Sequence, residues 1–253
     1  MIYDLQKAMI WKRISAWLFD SILLGILVVG LSWCLSQALG YDGYQQMLDE
    51  RYDFYENQYG VSLNIGQAEY EDLLPDQQQA FRKASEAISR DPQAGKAYTM
   101  MINLSLVIAS ISILGGFLLL EFAVPLAFSN GQTLGKKIFS IGVMSTDGLR
   151  VSTFQMFART VLGKFTLETM IPVMTGILIF FGSLGFQGTM IILGLGVLQI
   201  LLLAFTRTNS LIHDLLAKTV VIDMPSQMIF ESAEEMQAYK KKVREDLASR
   251  QEY

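Results

Sequence analysis

From Thr169 to Thr206 the chain reads TMIPVMTGILIFFGSLGFQGTMIILGLGVLQILLLAFT, 38 residues without a charge. A bilayer core of about 30 Å is crossed by about 20 helical residues. As a single helix the run would measure about 57 Å at 1.5 Å per residue, too long for one crossing. Its middle, Gly182-Ser183-Leu184-Gly185-Phe186-Gln187-Gly188, has the glycine punctuation of a turn. The stretch therefore predicts two crossings, 168–184 and 188–206, folded as a hairpin. Two further charge-free runs, Ser21 to Tyr41 and Ala97 to Leu120, predict one crossing each, at 14–38 and 98–126. The expected fold class is an all-α polytopic membrane protein with four transmembrane helices.

Composition agrees. Of 253 residues, 51% are hydrophobic and 17% charged, with a mean hydropathy of +0.34, whereas soluble domains carry about 25% charge. The single Cys34 excludes a disulfide framework, and the single His213 excludes a multi-histidine metal centre. No metal and no cofactor are expected. Nor is an enzyme: no nucleophile stands beside a base, and Gly131 to Lys137 lacks the spacing of a phosphate loop. Lys7, Lys12 and Arg13 precede the first apolar run as in a signal peptide. That run exceeds a 7–15-residue apolar core and carries Asp20, so a retained anchor is expected.

Basic residues near helix ends set orientation. Residues 1–13 hold three basic residues and one acid. Residues 40–98 hold eleven acids and five basic residues, and 127–164 hold five basic residues against Asp147. The reading is a cytoplasmic N-terminus (1–13), an acidic extracytoplasmic insert (39–97), a cytoplasmic connector (127–167) and a cytoplasmic tail (207–253).

Each extramembrane piece has its own signals. In the insert, Tyr44 to Tyr55 reads as helix, Pro75 opens a second, and Asp91-Pro92 is an N-cap followed by proline at the first helical position. The insert is read as a helical cap, with a lid or partner surface as the alternative. In the connector, Asp147-Gly148 between alternating residues predicts a short β-hairpin, which needs a packing partner to persist. An interfacial helix follows from Ser152 or Thr153, with Phe154, Phe157, Val161, Leu162 and Phe165 along one stripe. Asn209 or Ser210 is expected to cap a short helix after the fourth crossing. The tail opens with a capping box, Ser232 and Glu235, and its mixed charge predicts no nucleic-acid partner.

Charges inside apolar runs mark the candidate site, because an acid at mid-membrane costs about 2.5–3.5 kcal/mol even on permissive scales. Asp20 lies about seven residues into the first crossing, and Arg13 shares its helix face. Glu121 falls at similar depth on the second, antiparallel crossing. Arg159 and Lys164 from the interfacial helix, and Asn209, His213 and Asp214 after the fourth crossing, arrive at the same level. The expected polar cluster is Arg13, Asp20, Glu121, Arg159, His213 and Asp214, either ion-coupling or structural. His213 and Asp214, adjacent on a helix, each need a partner from another segment.

Three segments in order resemble the RDD family of membrane proteins. They are Lys12-Arg13-Ile14-Ser15-Ala16-Trp17-Leu18-Phe19-Asp20, then Gly131-Gln132-Thr133-Leu134-Gly135-Lys136-Lys137 with Asp147-Gly148, then Leu211-Ile212-His213-Asp214-Leu215-Leu216 through Val221. Arg13, Asp20 and Asp214 match the family's naming residues, and Arg159 an arginine usual after the hairpin. The resemblance covers 7–38 and 98–223, an RDD-like domain over 7–223 interrupted by the insert, which departs from the compact form as the tail does. It implies transport of small ligands, with monovalent cation and proton as candidates, and four crossings per chain suggest a homo-oligomer. The alternative is a membrane scaffold or regulatory subunit that binds a protein partner through the insert or tail.

Overall fold

The computed structural model describes residues 5–128, 130–180 and 184–251. Four of its helices are long and apolar enough to cross a membrane: Ile10–Ala38, Pro92–Ala127, Thr153–Ile179 and Gly185–Phe205. In chain order, α1 is Ile10–Ala38, α2 Tyr41–Tyr59, α3 Gln67–Glu71, α4 Pro75–Ser89 and α5 Pro92–Ala127. Then come α6 (Leu134–Ile138), β1 (Ile141–Ser145), α7 (Thr153–Ile179) and α8 (Gly185–Phe205). The chain closes with α9 (Ile212–Leu216), β2 (Thr219–Asp223) and α10 (Ala233–Gln251). This is an all-α polytopic membrane fold with a small antiparallel β element.

Two compact units divide the chain, residues 29–112 and the remainder on either side. In the 29–112 unit, α2 is tied to the start of α5 by Asp91. Its Oδ1 accepts from the backbone N–H groups of Gln93 (2.7 Å) and Ala94 (3.3 Å), capping α5. Its Oδ2 accepts from Arg51 Nε (2.6 Å) and Tyr55 (3.1 Å). Burial works against the Asp91 charge, but these donors outweigh it and hold the carboxyl below its usual range.

In the other unit the β ribbon organises the helix ends. The Asp147-Gly148 turn closes as a tight turn, with Ser145 N–H to Leu149 O at 2.9 Å and one bridge between Met144 and Arg150. The longer ladder of β1 is with β2, in register Ile141↔Asp223 through Ser145↔Thr219. Gln6–Ala8 adds a third edge to β2, with Ala8 N–H to Val221 O at 3.2 Å and Asp223 N–H to Gln6 O at 3.0 Å. Two strands alone are marginal in water; here both faces are covered. Ile141 and Val221 pack on Ala8 and Ala16, and Met144, Val220 and Ile222 pack on Met224 and Ile229. Each fully buried aliphatic side chain contributes about 1.5–3 kcal/mol.

α7 begins at the expected position, and a capping box not read from the sequence opens it, Ser152 Oγ accepting from Gln155 N–H at 3.2 Å. The stretch expected at the interface runs without a break into the third apolar helix. Its apolar stripe faces outward, with Phe154, Phe157 and Leu162 exposed, while Met156, Ala158, Arg159, Thr160 and Gly163 are buried. Polar inside and apolar outside is the arrangement a lipid solvent favours. α7 and α8 meet where Gly188 lies against Ile179. Gly182 and Ser183 of the expected turn lie outside the described residues.

Two segments widen to π-helix, Phe117–Ala123 in α5 and Ala158–Met170 in α7. Each ends just ahead of a proline, Pro125 and Pro172. Proline has no N–H for the carbonyl four residues earlier and its ring crowds that carbonyl. Here those carbonyls belong to Glu121 and Glu168. The helix responds with i to i+5 bonds, Val124 N–H to Leu119 O and Ile171 N–H to Thr166 O.

Candidate functional site

Pairing β2 with β1 on one side and with Gln6–Ala8 on the other brings three distant segments to the end of the helices where α1 begins. Arg13 and Asp20 come from α1, Thr133 to Lys136 from α6 and its cap, and His213 and Asp214 from α9. α5 and α7 supply Glu121, Arg159, Lys164 and Glu168. Two glycines permit the approach. A Cβ on Gly163 would meet His213 Cβ at 2.5 Å and Cα at 2.7 Å, and one on Gly135 would strike the Ala16 carbonyl.

Asp214 is the hub, with 1% of its surface exposed. One oxygen pairs with Arg159 and the other with Arg13 Nη2 at 3.1 Å. Leu211 N–H donates to the second oxygen at 3.1 Å. Arg159 also donates to Thr219 Oγ1 at 2.7 Å, and Arg13 to the Asn209 carbonyl. Burial alone would raise the Asp214 carboxyl, but Arg159, His213, Arg13 and the Leu211 amide hold it well below the usual carboxylate range. Removing one partner from such a buried set strands the others' charges. Asn209 and Ser210 do not cap α9 as expected. Leu211 occupies the cap position and Asp214 reaches back to it, while Asn209 takes a left-handed backbone, φ 51°, that presents its carbonyl to Arg13.

Asp20 is not paired with Arg13, which Asp214 has claimed. Its oxygens accept from the Thr133 hydroxyl and from Gly135 N–H at 2.8 Å. The acid thus ties α1 to the segment before α6, and Thr133 also caps that helix. Glu121 pairs with Lys164. Its carbonyl, deprived of a partner by Pro125, accepts from the Thr160 hydroxyl at 2.8 Å. His213 Nδ1 donates to Glu168 at 2.8 Å, and Nε2 lies 3.5 Å from Asp214. A carboxylate only accepts, so Nδ1 carries the proton. Burial is the largest influence on His213, with Arg159 adding to it and both acids opposing; the ring is held below its ordinary value.

These side chains border a cavity of about 180 Å³ lined by Arg13, Asp20, Glu121, Lys136, Arg159, Lys164 and His213, with an apolar wall including Ile10, Ile14, Trp17 and Leu203. A larger recess of about 550 Å³ runs along α1 from Trp17 to Val28 and shares Glu121, Lys164 and His213 with it. Lys136 stands apart. It is 8% exposed, and among the described residues no carboxylate lies within 4 Å of its ammonium. Burial pushes it down to about 7, helped by Lys164 and Arg159 and opposed by Glu121 and Asp20.

All six residues read from the sequence lie in this region, though in other pairings than Arg13 with Asp20. Lys136 and Glu168 were missed. One signal was available: Glu121 and Glu168 each stand four residues before a proline. Among the described residues no group of His, Cys, Asp and Glu is placed to hold a metal.

The sequence model of the RDD family matches residues 7–218, spanning the first two motif segments, the insert between them and the third segment as far as Lys218. No curated protein and no solved structure matches the chain significantly.

Proposed function

Because the chain belongs to the RDD family of membrane proteins, we propose that it exchanges a small monovalent cation for protons through the buried charge cluster, acting as a homo-oligomer. The observation that carries this is Lys136, a buried lysine whose ammonium has no ion-pair partner among the described residues and which lines a cavity with Glu121 and Lys164. Coupling needs a group that can gain and lose a proton while a neighbouring carboxylate changes partner. Lys136 deprotonates near neutral pH, and Glu121 is the carboxylate beside it.

The roles then divide. Arg13, Asp214 and Arg159 form a closed pairing that fixes α1, α7 and α9. Asp20 holds α6 in place, so its charge serves position before transport. His213, bonded to Glu168, lines both hollows and lies on the path between them. The basic-residue bias puts this end, with both termini, in the cytoplasm.

The test is purified protein in liposomes with an imposed pH gradient, challenged with sodium, potassium or lithium. Cation-dependent collapse of the gradient is expected for wild type, with loss in Glu121→Gln and Lys136→Met at equal reconstitution. No flux from folded wild type with any of the three cations would overturn the reading. The 29–112 unit supports a second reading, a scaffold that holds a protein partner, since Phe54, Leu74 and Tyr98 there are 51%, 67% and 53% exposed. A stoichiometric protein co-purifying through residues 41–89, without flux, would favour it.

A further inference from the structure

The cavity at Lys136 leaves that lysine without a carboxylate of its own among the described residues. Four basic groups line it, Arg13, Lys136, Arg159 and Lys164. Four acids stand near them, Asp20 and Glu121 in the lining, Asp214 behind it and Glu168 on His213. Asp214 is shared by two guanidiniums, Glu121 is taken by Lys164, and Asp20 is bound by a hydroxyl and a backbone N–H. Lys136, more than nine-tenths buried, is left facing the hollow.

The walls indicate where an anion would come from. Ile10, Ile14 and Trp17 border the cavity and are themselves 41%, 41% and 63% exposed on the outer face of α1. They sit in the first two turns of a membrane-crossing helix, the level of lipid headgroups. Basic pockets between transmembrane helices at that level take phosphate-bearing headgroups. The polar hollow would receive a phosphate while the acyl chains lie along the apolar surface of α1.

We propose that this cavity is a binding site for the phosphate of an anionic phospholipid, with Lys136 as its principal ligand and Arg13 and Lys164 at its edge. The bound phosphate supplies the missing counterion and keeps Lys136 protonated. The lipid thereby regulates the charge cluster assigned to transport above. The inference shares that cavity with the transport reading, but its readout is binding, so absence of flux leaves it intact and absence of lipid binding leaves flux intact.

Thermal unfolding of the full chain in neutral detergent tests it, with phosphatidylglycerol, phosphatidylcholine or inorganic phosphate added. Phosphatidylglycerol at a hundredfold excess over its Kd is expected to raise Tm by about 5 °C, and phosphatidylcholine to do much less. The shift is expected to vanish in Lys136→Gln, to return in Lys136→Arg, and to persist in Lys137→Gln, whose ammonium instead sits over the Phe128 ring. Equal shifts from the two lipids in wild type would overturn the proposal without any variant. Full retention of the shift in Lys136→Gln would overturn it too. An equal shift from inorganic phosphate alone would overturn the lipid as the source.

Discussion

Lys136 has a measurable signature in stability. Its folded-state value near 7 lies below that of a free lysine, so between about 7 and 10.5 the unfolded chain binds the extra proton. The burial cost is present in full below pH 7 and fades as pH rises through that window. In detergent without anionic lipid, Lys136→Met is therefore expected to be more stable than wild type at pH 6, with the advantage shrinking steadily by pH 10. A difference in Tm independent of pH would show that the ammonium is not buried in its charged form. Sequence reasoning did not reach this residue, for a physical reason. Arg13, Asp20 and Glu121 are conspicuous because charge is rare in apolar runs. Lys136 sits beside Lys137 in a polar connector, where a basic pair reads as an orientation signal. Glu168 hid in the same way, at the boundary of a charge-free run.

Among elements, the four long helices were legible because the bilayer sets their length and composition directly. The β2 strand was not, since its partner lies some 75 residues earlier and no local turn announces a pairing at that distance. The π-helical segments were equally hidden: a proline in a helix reads as a break, and only packing shows how the backbone accommodates it. Their geometry suggests a coupled pair of residues. Thr160→Val removes the donor to the Glu121 carbonyl and is expected to cost about 1–3 kcal/mol, the penalty of an unsatisfied buried acceptor. Pro125→Ala restores an N–H four residues after Glu121, so in that background the Thr160 cost is expected to fall by more than half. A double-mutant cycle on unfolding midpoints measures the coupling, and strictly additive losses would break the link between proline and hydroxyl.

For the whole molecule, charge distribution and topology make one joint statement about the two sides of the membrane. In a Cys34→Ser background, cysteine at Ser62 is expected to label from outside intact cells. Cysteine at Asp147 or Ser226, both exposed, is expected to label only after permeabilisation. External labelling at Asp147 would reverse the proposed orientation. Position 147 also serves better than its neighbour Ser145, which is buried in the ribbon.

The hub at Asp214 also imposes a schedule on biosynthesis. Arg13 precedes its carboxylate partner by 201 residues, so at ~5–20 residues per second the ribosome needs roughly 10–40 s to deliver it. Throughout that interval Arg13, and later Arg159, enter the bilayer boundary without the counterion of the finished protein. The nascent chain must be sheltered by the insertion machinery or by lipid phosphates until Asp214, beyond its last apolar helix, has emerged. A released chain truncated after about residue 208 should therefore be cleared by membrane proteases faster than one truncated after residue 223, although both contain every crossing.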